Sequence, residues 1–205
     1  MANTIKNFDY LVGQIEGISE RQLRAHFGLY QGYVKKSNEI EEKLKNSDSI
    51  GSKNASYSYS EYSELQRRRA VPYNGAYLHE LFFENLSSKK SEPSPEVKSG
   101  IEAAYGSLES WLEDVKAGLL SAQGWVLLVK SRKDGTLRNN VIEEHHRGIF
   151  IEQDILLALD GWEHAYMIDY GTLKSEYIEV LAKNIDWEVV NRRYLYSERA
   201  NLMAA

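Results

Sequence analysis

The chain has 205 residues, enough for one large domain or two small ones with a buried core. Charged residues make up 27% of the chain and aromatic residues 11%, a balance typical of folded rather than disordered proteins. The net charge of -5 provides no basic field for nucleic acid. Because there is no cysteine, disulfides, thiol nucleophiles and thiolate ligands are excluded, and any metal must be held by histidines and carboxylates.

The hydropathy pattern gives no sign of a membrane segment. The N-terminus lacks an apolar signal core, and no run of about 18 apolar residues could span a bilayer. We therefore expect a cytoplasmic protein with no membrane and no nucleic-acid partner.

The first part of the chain predicts helices. Ser19 followed by Gln22 matches a capping box, and apolar residues at helical spacing continue to about Lys45. The polar stretch 46–62 ends this helix and is either a further subunit interface or a mobile loop.

A second helical stretch begins near Ser60. Pro72 is expected to interrupt it, with the helix resuming at about Tyr73. The polar, proline-containing linker 87–95 marks a boundary between two domains. The expected domains are 1–90, a helical hairpin, and 91–205, an α/β unit.

The second part of the chain predicts a small sheet flanked by helices. Two short helices begin at Ser94-Pro95 and end by about Ala122. The sequence Asp134-Gly135 indicates a tight hairpin. Strands are expected over 124–130, 137–146 and 154–160, with closing helices near 174–185 and from Asp186 onward. The fold class is therefore α+β.

Two histidines lie on predicted helices. His26 shares a helix face with Tyr30 and Tyr33, which would line the approach to a metal bound there or form an aromatic core stripe. His79 has Gly75 one turn before it, which leaves space beside a ligand.

The segment Asp160-Gly161-Trp162-Glu163-His164-Ala165-Tyr166 places a carboxylate and an imidazole four residues apart at the end of an apolar strand. It resembles the Asp-x-Trp-Glu-His-Ala-Tyr signature of iron/manganese superoxide dismutases. Further matching segments occur in the family's order: His26 with Tyr33-Val34, Leu78-His79-Glu80-Leu81-Phe82, Gly124-Trp125 and Ile185-Asp186-Trp187-Glu188.

This resemblance implies one Fe or Mn ion per subunit, with a solvent molecule as fifth ligand. The implied protein ligands are His26, His79, Asp160 and His164. It also implies an N-terminal helical hairpin, a C-terminal domain with a three-stranded antiparallel sheet, and the disproportionation of superoxide to dioxygen and hydrogen peroxide.

Tyr33 matches the family's gateway tyrosine, but it follows His26 by seven residues where eight is common. This spacing predicts a helix without the π-bulge of relatives, because i+7 already returns to the same face. Tyr30 stands where many relatives have a histidine, and Met167 stands where they have the tyrosine that pairs with it across the dimer.

The family's usual glutamine beside the metal is absent from both of its positions. Gly75 occupies one, and His146, at the end of the second strand, occupies the other. We expect His146 to donate to the bound solvent, with a surface strand-end histidine as the alternative. Strand alternation predicts that His145 faces the other way, but the sequence leaves open which of the two adjacent histidines faces the metal-bound solvent.

Four more residues match the family's site. Trp125 and Trp162 match its aromatic wall, or are core. Glu163 matches the residue that reaches across the dimer to the partner's histidine ligand, and Lys174 replaces an arginine at the funnel that guides the anion. The resemblance thus predicts a homodimer or tetramer.

Two other functions remain open from the sequence. One is a dismutase-fold metal-binding protein with little or no activity, favoured by the changes at Tyr30, His146 and Met167. The other is a non-haem iron enzyme for an organic substrate, which would need an open pocket in place of the aromatic wall.

Overall fold

The computed structural model describes residues 3–46, 48 and 50–204; residues 1, 2, 47, 49 and 205, which include parts of the N-terminus and of the 46–62 stretch, lie outside it. Helices dominate the first half, and a three-stranded antiparallel sheet with flanking helices forms the second, so the predicted α+β class is confirmed. The helices are α1 Glu20–Asn46, α2 Glu61–Arg68, α3 Ala70–Glu84, α4 Pro95–Tyr105, α5 Leu108–Ser121, α6 Met167–Tyr170, α7 Lys174–Lys183 and α8 Trp187–Ala204. The strands are β1 Trp125–Ser131, β2 Leu137–Ile142 and β3 Gln153–Asp160.

The long helix α1 begins directly after Ser19. The Ser19 hydroxyl accepts a hydrogen bond from the Gln22 backbone N–H at 3.1 Å, which is half of the expected capping box. The other half does not form, because the Ser19 backbone N–H donates to Asp169 at 2.7 Å. Helix α1 is α-helical at every position from Glu20 to Asn46, as the shortened spacing predicts.

The break between α2 and α3 lies at Arg69, three residues before Pro72, so the expected interruption at Pro72 was wrong. Pro72 instead occupies the first turn of α3. A proline is tolerated there because the first N–H groups of a helix have no intrahelical partner.

The sheet has the order β2-β1-β3, with β1 in the centre. All seven residues of β1 are buried, which agrees with its run of apolar residues. Trp125 pairs with Ile142 on one side and with Asp160 on the other. The two residues that resemble family site positions, Trp125 and Asp160, therefore lie at one end of the sheet.

Strand β2 is shorter than expected. It ends at Ile142, whereas the sequence pattern predicted a strand to His146. Beyond Ile142 the chain turns, and Glu144 forms an isolated bridge with Arg147. The alternation of side chains across a strand therefore does not extend to the two adjacent histidines.

The two halves of the chain meet through backbone hydrogen bonds near α7 and α8. The Asp186 N–H donates to the Asn85 carbonyl at 2.7 Å, and the Ser87 N–H donates to the Asn184 carbonyl at 2.9 Å. The division into domains 1–90 and 91–205 stays a prediction. Among the described residues, no helix combines the length and the apolar character needed to cross a membrane.

Candidate metal centre

Four potential ligands from four different segments converge at the end of the sheet. His26 lies on α1 and His79 on α3, while Asp160 ends β3 and His164 lies in the short 3₁₀ turn Glu163–Ala165. One donor atom from each lies within 4.8 Å of all the others. His26, His79 and Asp160 are at most 2% exposed, whereas the His164 side chain is 27% exposed.

The spacing of these donors fits a single metal ion. The Asp160 Oδ2 atom lies 3.2 Å from Nε2 of His26, 3.2 Å from Nε2 of His164 and 3.7 Å from Nε2 of His79. Donors about 2.1 Å from a common centre, at angles of about 90° to 120°, lie about 3.0 to 3.6 Å apart. Three imidazoles and one carboxylate also suit iron or manganese.

The protonation states favour metal binding. Burial lowers the pKa of His26, and burial together with the nearby His26 lowers the pKa of His79 well below its ordinary value. Burial by itself would raise the pKa of Asp160, but His164 and His26 beside it outweigh that effect and hold the pKa far below its usual range. His26 and His79 are therefore neutral and the Asp160 carboxylate is ionised, as metal ligands must be.

Backbone groups orient two of the potential ligands. The His79 Nδ1 atom lies 2.5 Å from the Gly75 carbonyl, to which it donates, so Nε2 keeps its lone pair for a metal. The Trp162 N–H donates to Asp160 Oδ1 at 2.9 Å, which leaves Oδ2 directed at the three imidazoles.

Aromatic rings enclose the site on most sides. Phe83 and Phe82 lie 4.9 and 5.3 Å from the His26 ring, and Trp125 meets the His79 ring edge-on at 5.1 Å. Trp162 stacks on His164 at 6.1 Å, with an interplanar angle of 12°. The structure thus places both tryptophans beside the cluster.

Tyr33 belongs to a hydrogen-bonded chain beside the cluster. The Trp125 Nε1–H donates to His145 Nδ1 at 2.9 Å, and His145 Nε2 lies 2.8 Å from the Tyr33 hydroxyl. An indole N–H can only donate, so Nδ1 of His145 is the acceptor and Nε2 carries the proton. His145 therefore donates to the Tyr33 oxygen.

The sequence-based choice between the two adjacent histidines was wrong. His145 faces Tyr33, and His146 lies apart from it, with its Nδ1 atom 3.4 Å from a Glu144 carboxylate oxygen. The reason is the early end of β2 at Ile142, which frees the following backbone to turn His145 inward. Burial lowers the pKa of His145 to about 4.

Of the two interpretations of Tyr30, the structure favours the aromatic core stripe over a place along the approach to the metal. Tyr30 is fully buried, and its hydroxyl donates to Glu80 at 2.9 Å and accepts from the Lys6 N–H at 3.0 Å. Its ring packs on Phe8 and Phe83. Tyr30 therefore belongs to the core where the N-terminal segment crosses α1.

The three remaining candidates lie near the exposed side of the cluster. Glu163 is exposed next to His164, and Met167 is 44% exposed. Lys174 is half-buried, donates to the Ala122 carbonyl at 2.8 Å, and has a pKa lowered by burial. A surface cavity of about 550 Å³ contains Lys174 together with the acidic Glu143 and Glu144.

Two residues of α3 support the Tyr33 chain, of which the sequence singled out Gly75 but not Asn74. A Cβ atom on Gly75 would lie 2.9 Å from the Tyr33 ring, so the ring fills the space beside this glycine. Asn74 donates to the His145 carbonyl at 2.8 Å and holds the turn after β2 against α3. The sequence indicated that Gly75 leaves space on its helix. The Asn74 contact joins residues 71 positions apart, so no local sequence pattern could indicate it.

The fold and the site together define a protein with a buried cluster of three histidines and one aspartate that could hold a single metal ion. Residues 93–193 match the family described as iron/manganese superoxide dismutases, C-terminal domain. The chain is 38% identical over 189 residues to "Superoxide dismutase [Fe]" of Aquifex aeolicus (strain VF5), covering 91% of this chain and 89% of that protein.

A manganese relative is also similar. The chain is 33% identical over 181 residues to "Superoxide dismutase [Mn] 1" of Halobacterium salinarum, covering 86% of each protein. The chain therefore belongs to the iron/manganese superoxide dismutases.

Proposed function

We propose that this protein is a superoxide dismutase that uses one Fe or Mn ion per subunit, held by the three histidines and the aspartate of the cluster. The observation that carries the proposal is the convergence of four donor atoms within 4.8 Å at the end of the sheet. When bound, such an ion would supply the one-electron redox chemistry by which two superoxide ions and two protons are converted to one dioxygen and one hydrogen peroxide.

The protein's own residues control access to the cluster. Tyr33, Trp162 and His164 are the partly exposed groups around it, so a small anion such as superoxide reaches the site from their side. The aromatic rings around His26 and His79 exclude larger molecules and bulk water. Exclusion of water keeps the electrostatic influence of these groups strong.

The Tyr33 chain holds a proton at the accessible side. Because His145 donates from Nε2 to the Tyr33 oxygen, the Tyr33 hydroxyl proton remains free to donate toward the cluster. Burial and the charge of Asp160 raise the pKa of Tyr33, which keeps this proton on the phenol at neutral pH. We propose that Tyr33 and His145 supply protons to the product.

Guidance of superoxide must be local, because the net charge of -5 does not attract an anion. We propose that Lys174, which lies beside Gly161 of the signature segment, provides the attracting charge. Glu143 and Glu144 line the same cavity and limit its effect.

We also propose that the protein is at least a homodimer. The exposed Glu163 next to the exposed edge of His164 supports a contact in which each subunit orients its partner's ligand. Sedimentation equilibrium checks this, and a mass of 23.5 kDa, that of one chain, would contradict it. A tetramer is the alternative outcome, and the cytoplasmic location stays a prediction for cell fractionation.

A superoxide-decay assay on the protein loaded with one equivalent of Fe or Mn tests the function. We expect the loaded protein to accelerate decay well beyond the same concentration of free ion. Retention of the ion without acceleration would support the alternative of a dismutase fold with little or no activity. Elemental analysis together with activity after reconstitution with each metal decides between Fe and Mn.

Replacement of a ligand tests the site assignment. His26→Ala removes a fully buried donor, so we expect the variant to lose its ion during gel filtration in the presence of a chelator. His146→Ala is the matched control, because it removes a histidine outside the cluster. Normal retention in His26→Ala would contradict the assignment.

A further inference from the structure

Gln22 lies on α1 one turn before His26 and is 1% exposed. Its side-chain amide needs hydrogen-bond partners at this depth. The Nε2 atom donates to the His164 carbonyl at 2.6 Å, and the Oε1 atom accepts from the Ile168 N–H at 3.0 Å. The first partner belongs to the 3₁₀ turn that carries the most exposed of the four proposed ligands, and the second belongs to α6, which follows that turn.

The two backbone groups that Gln22 contacts are the carbonyl of residue i and the N–H of residue i+4. An α-helix would join such a pair directly. Here the chain around His164 forms a 3₁₀ turn, followed by α6. The Gln22 side-chain amide connects the two backbone groups by donating to the His164 carbonyl and accepting from the Ile168 N–H.

We propose that Gln22 is a positioning residue that sets the backbone of His164 and thereby the direction of its imidazole toward the metal. This inference rests on the proposed metal site. Helix α1 then positions two of the four ligands: His26 directly, and His164 through Gln22. Groups that orient metal ligands typically change metal affinity by about 10- to 100-fold when they are removed.

Gln22→Met provides the main test, since it keeps the length of the side chain and removes both hydrogen bonds. We expect its affinity for Mn²⁺, measured by chelator competition, to fall by about 10- to 100-fold. The electron paramagnetic resonance spectrum of the bound ion should change as well, because the His164 imidazole shifts. Gln22→Glu keeps the acceptor for the Ile168 N–H but cannot donate to the His164 carbonyl, so it should lose affinity in the same direction.

Ser19→Ala is the matched control. Ser19, directly before α1, bonds to Asp169 in the same region through its backbone N–H at 2.7 Å and its hydroxyl at 2.6 Å, without contacting a proposed ligand. The variant removes the second of these bonds and the cap on the Gln22 backbone N–H, but it leaves the Gln22 side chain in place. We expect this variant to keep the parent's affinity and spectrum even if its melting temperature falls.

The outcomes separate the inference from the proposed function. If Gln22→Met or Gln22→Glu melts at a lower temperature but keeps the parent's affinity and spectrum, Gln22 is only structural and the inference is overturned. If both variants fail to fold while Ser19→Ala binds normally, the positioning role is likewise rejected in favour of a structural one. If the parent itself retains no metal, the proposed function fails first.

Discussion

At the scale of single residues, the most informative side chain is His145. Hydrogen bonds at both ring nitrogens, from Trp125 and to Tyr33, set its tautomer and its orientation. An imidazole in this arrangement can do what a side-chain amide does, which is to accept from an indole and donate to a phenol.

We expect His145→Ala to lower the superoxide-decay rate by roughly tenfold or more while leaving metal content unchanged, because it breaks the chain that orients Tyr33. His145→Gln should restore part of the rate, since an amide can make the same two hydrogen bonds. The assay compares rates per bound ion. His146→Ala should behave like the parent, and equal losses at the two positions would contradict the assignment of His145.

At the scale of helices and strands, the close approach of α1 and α3 shapes the site. Gly75 of α3 lies directly against the ring of Tyr33 from α1, with no room for a side chain between them. The backbone carbonyl of Gly75 also accepts the hydrogen bond from Nδ1 of His79. One position therefore sets both the packing of the phenol and the orientation of a ligand.

Gly75→Ala should destabilise the protein by about 1 to 3 kcal/mol, because the new methyl group would meet the Tyr33 ring at 2.9 Å. It should also lower the decay rate by displacing Tyr33. Urea unfolding measures the first effect. Gly32→Ala on α1 is the control, since its methyl group has no neighbour within 4 Å, and there we expect a gain of about 0.5 to 1 kcal/mol. Equal effects at both glycines would contradict the packing argument.

Helix α8 is attached to the rest of the fold by Arg193. Its guanidinium donates to the carbonyls of Leu156 and Leu81 and to the Glu84 carboxylate, the last at 2.9 Å. Burial tends to raise the pKa of Glu84, but Lys6 and Arg193 outweigh this and lower it below its ordinary value of 4.5. The stabilisation from Glu84 is therefore present above pH 4.5 and is lost as the pH falls through the lowered pKa.

Arg193→Met should lower the free energy of unfolding by roughly 2 to 4 kcal/mol at pH 7, since it removes several hydrogen bonds and one ion pair. Urea unfolding at pH 7 and pH 4 should show a smaller difference from the parent at pH 4, where Glu84 begins to take up a proton. If the variant and the parent differ by the same free energy of unfolding at both pH values, the Arg193–Glu84 ion pair contributes nothing beyond the other contacts of Arg193.

At the scale of the whole molecule, the candidate site joins the two halves of the chain. Two of the proposed ligands come from α1 and α3, and the other two lie at the end of β3 and in the turn after it, more than 80 residues further on. Without an ion, the ionised carboxylate of Asp160 is left beside the buried imidazoles of His26 and His79, whose pKa values are lowered. A bound ion should therefore stabilise the entire fold and not just the local segments.

Removal of the ion should lower the melting temperature. Binding at a concentration of 1,000 times the dissociation constant stabilises a fold by about 4 kcal/mol. For a chain of this size that corresponds to a shift of about 8 to 16 °C. Calorimetry on metal-loaded and chelator-treated protein measures it, and the shift should be absent in His26→Ala. A loaded parent that melts at the same temperature as its metal-free form would contradict a buried metal site.

The full set of four converging residues was implied by the family resemblance, whereas local sequence patterns predicted the α+β class, most helix and strand positions and the pairing of Asp160 with His164. These features have local causes: apolar periodicity, capping residues such as Ser60 and Asp186, and the compact segment from Asp160 to His164.

The surroundings of the cluster depended on the tertiary structure. Because β2 ends early, at Ile142, His145 and not His146 faces Tyr33. Tyr30 bonds to the backbone of the N-terminal segment and lies in the core. Gln22 was read as a capping residue, yet its side chain bonds to groups more than 140 positions away. A sequence pattern reports which residues share a face of one helix or strand, but hydrogen bonds between distant segments exist only once the packing has brought their donors and acceptors together.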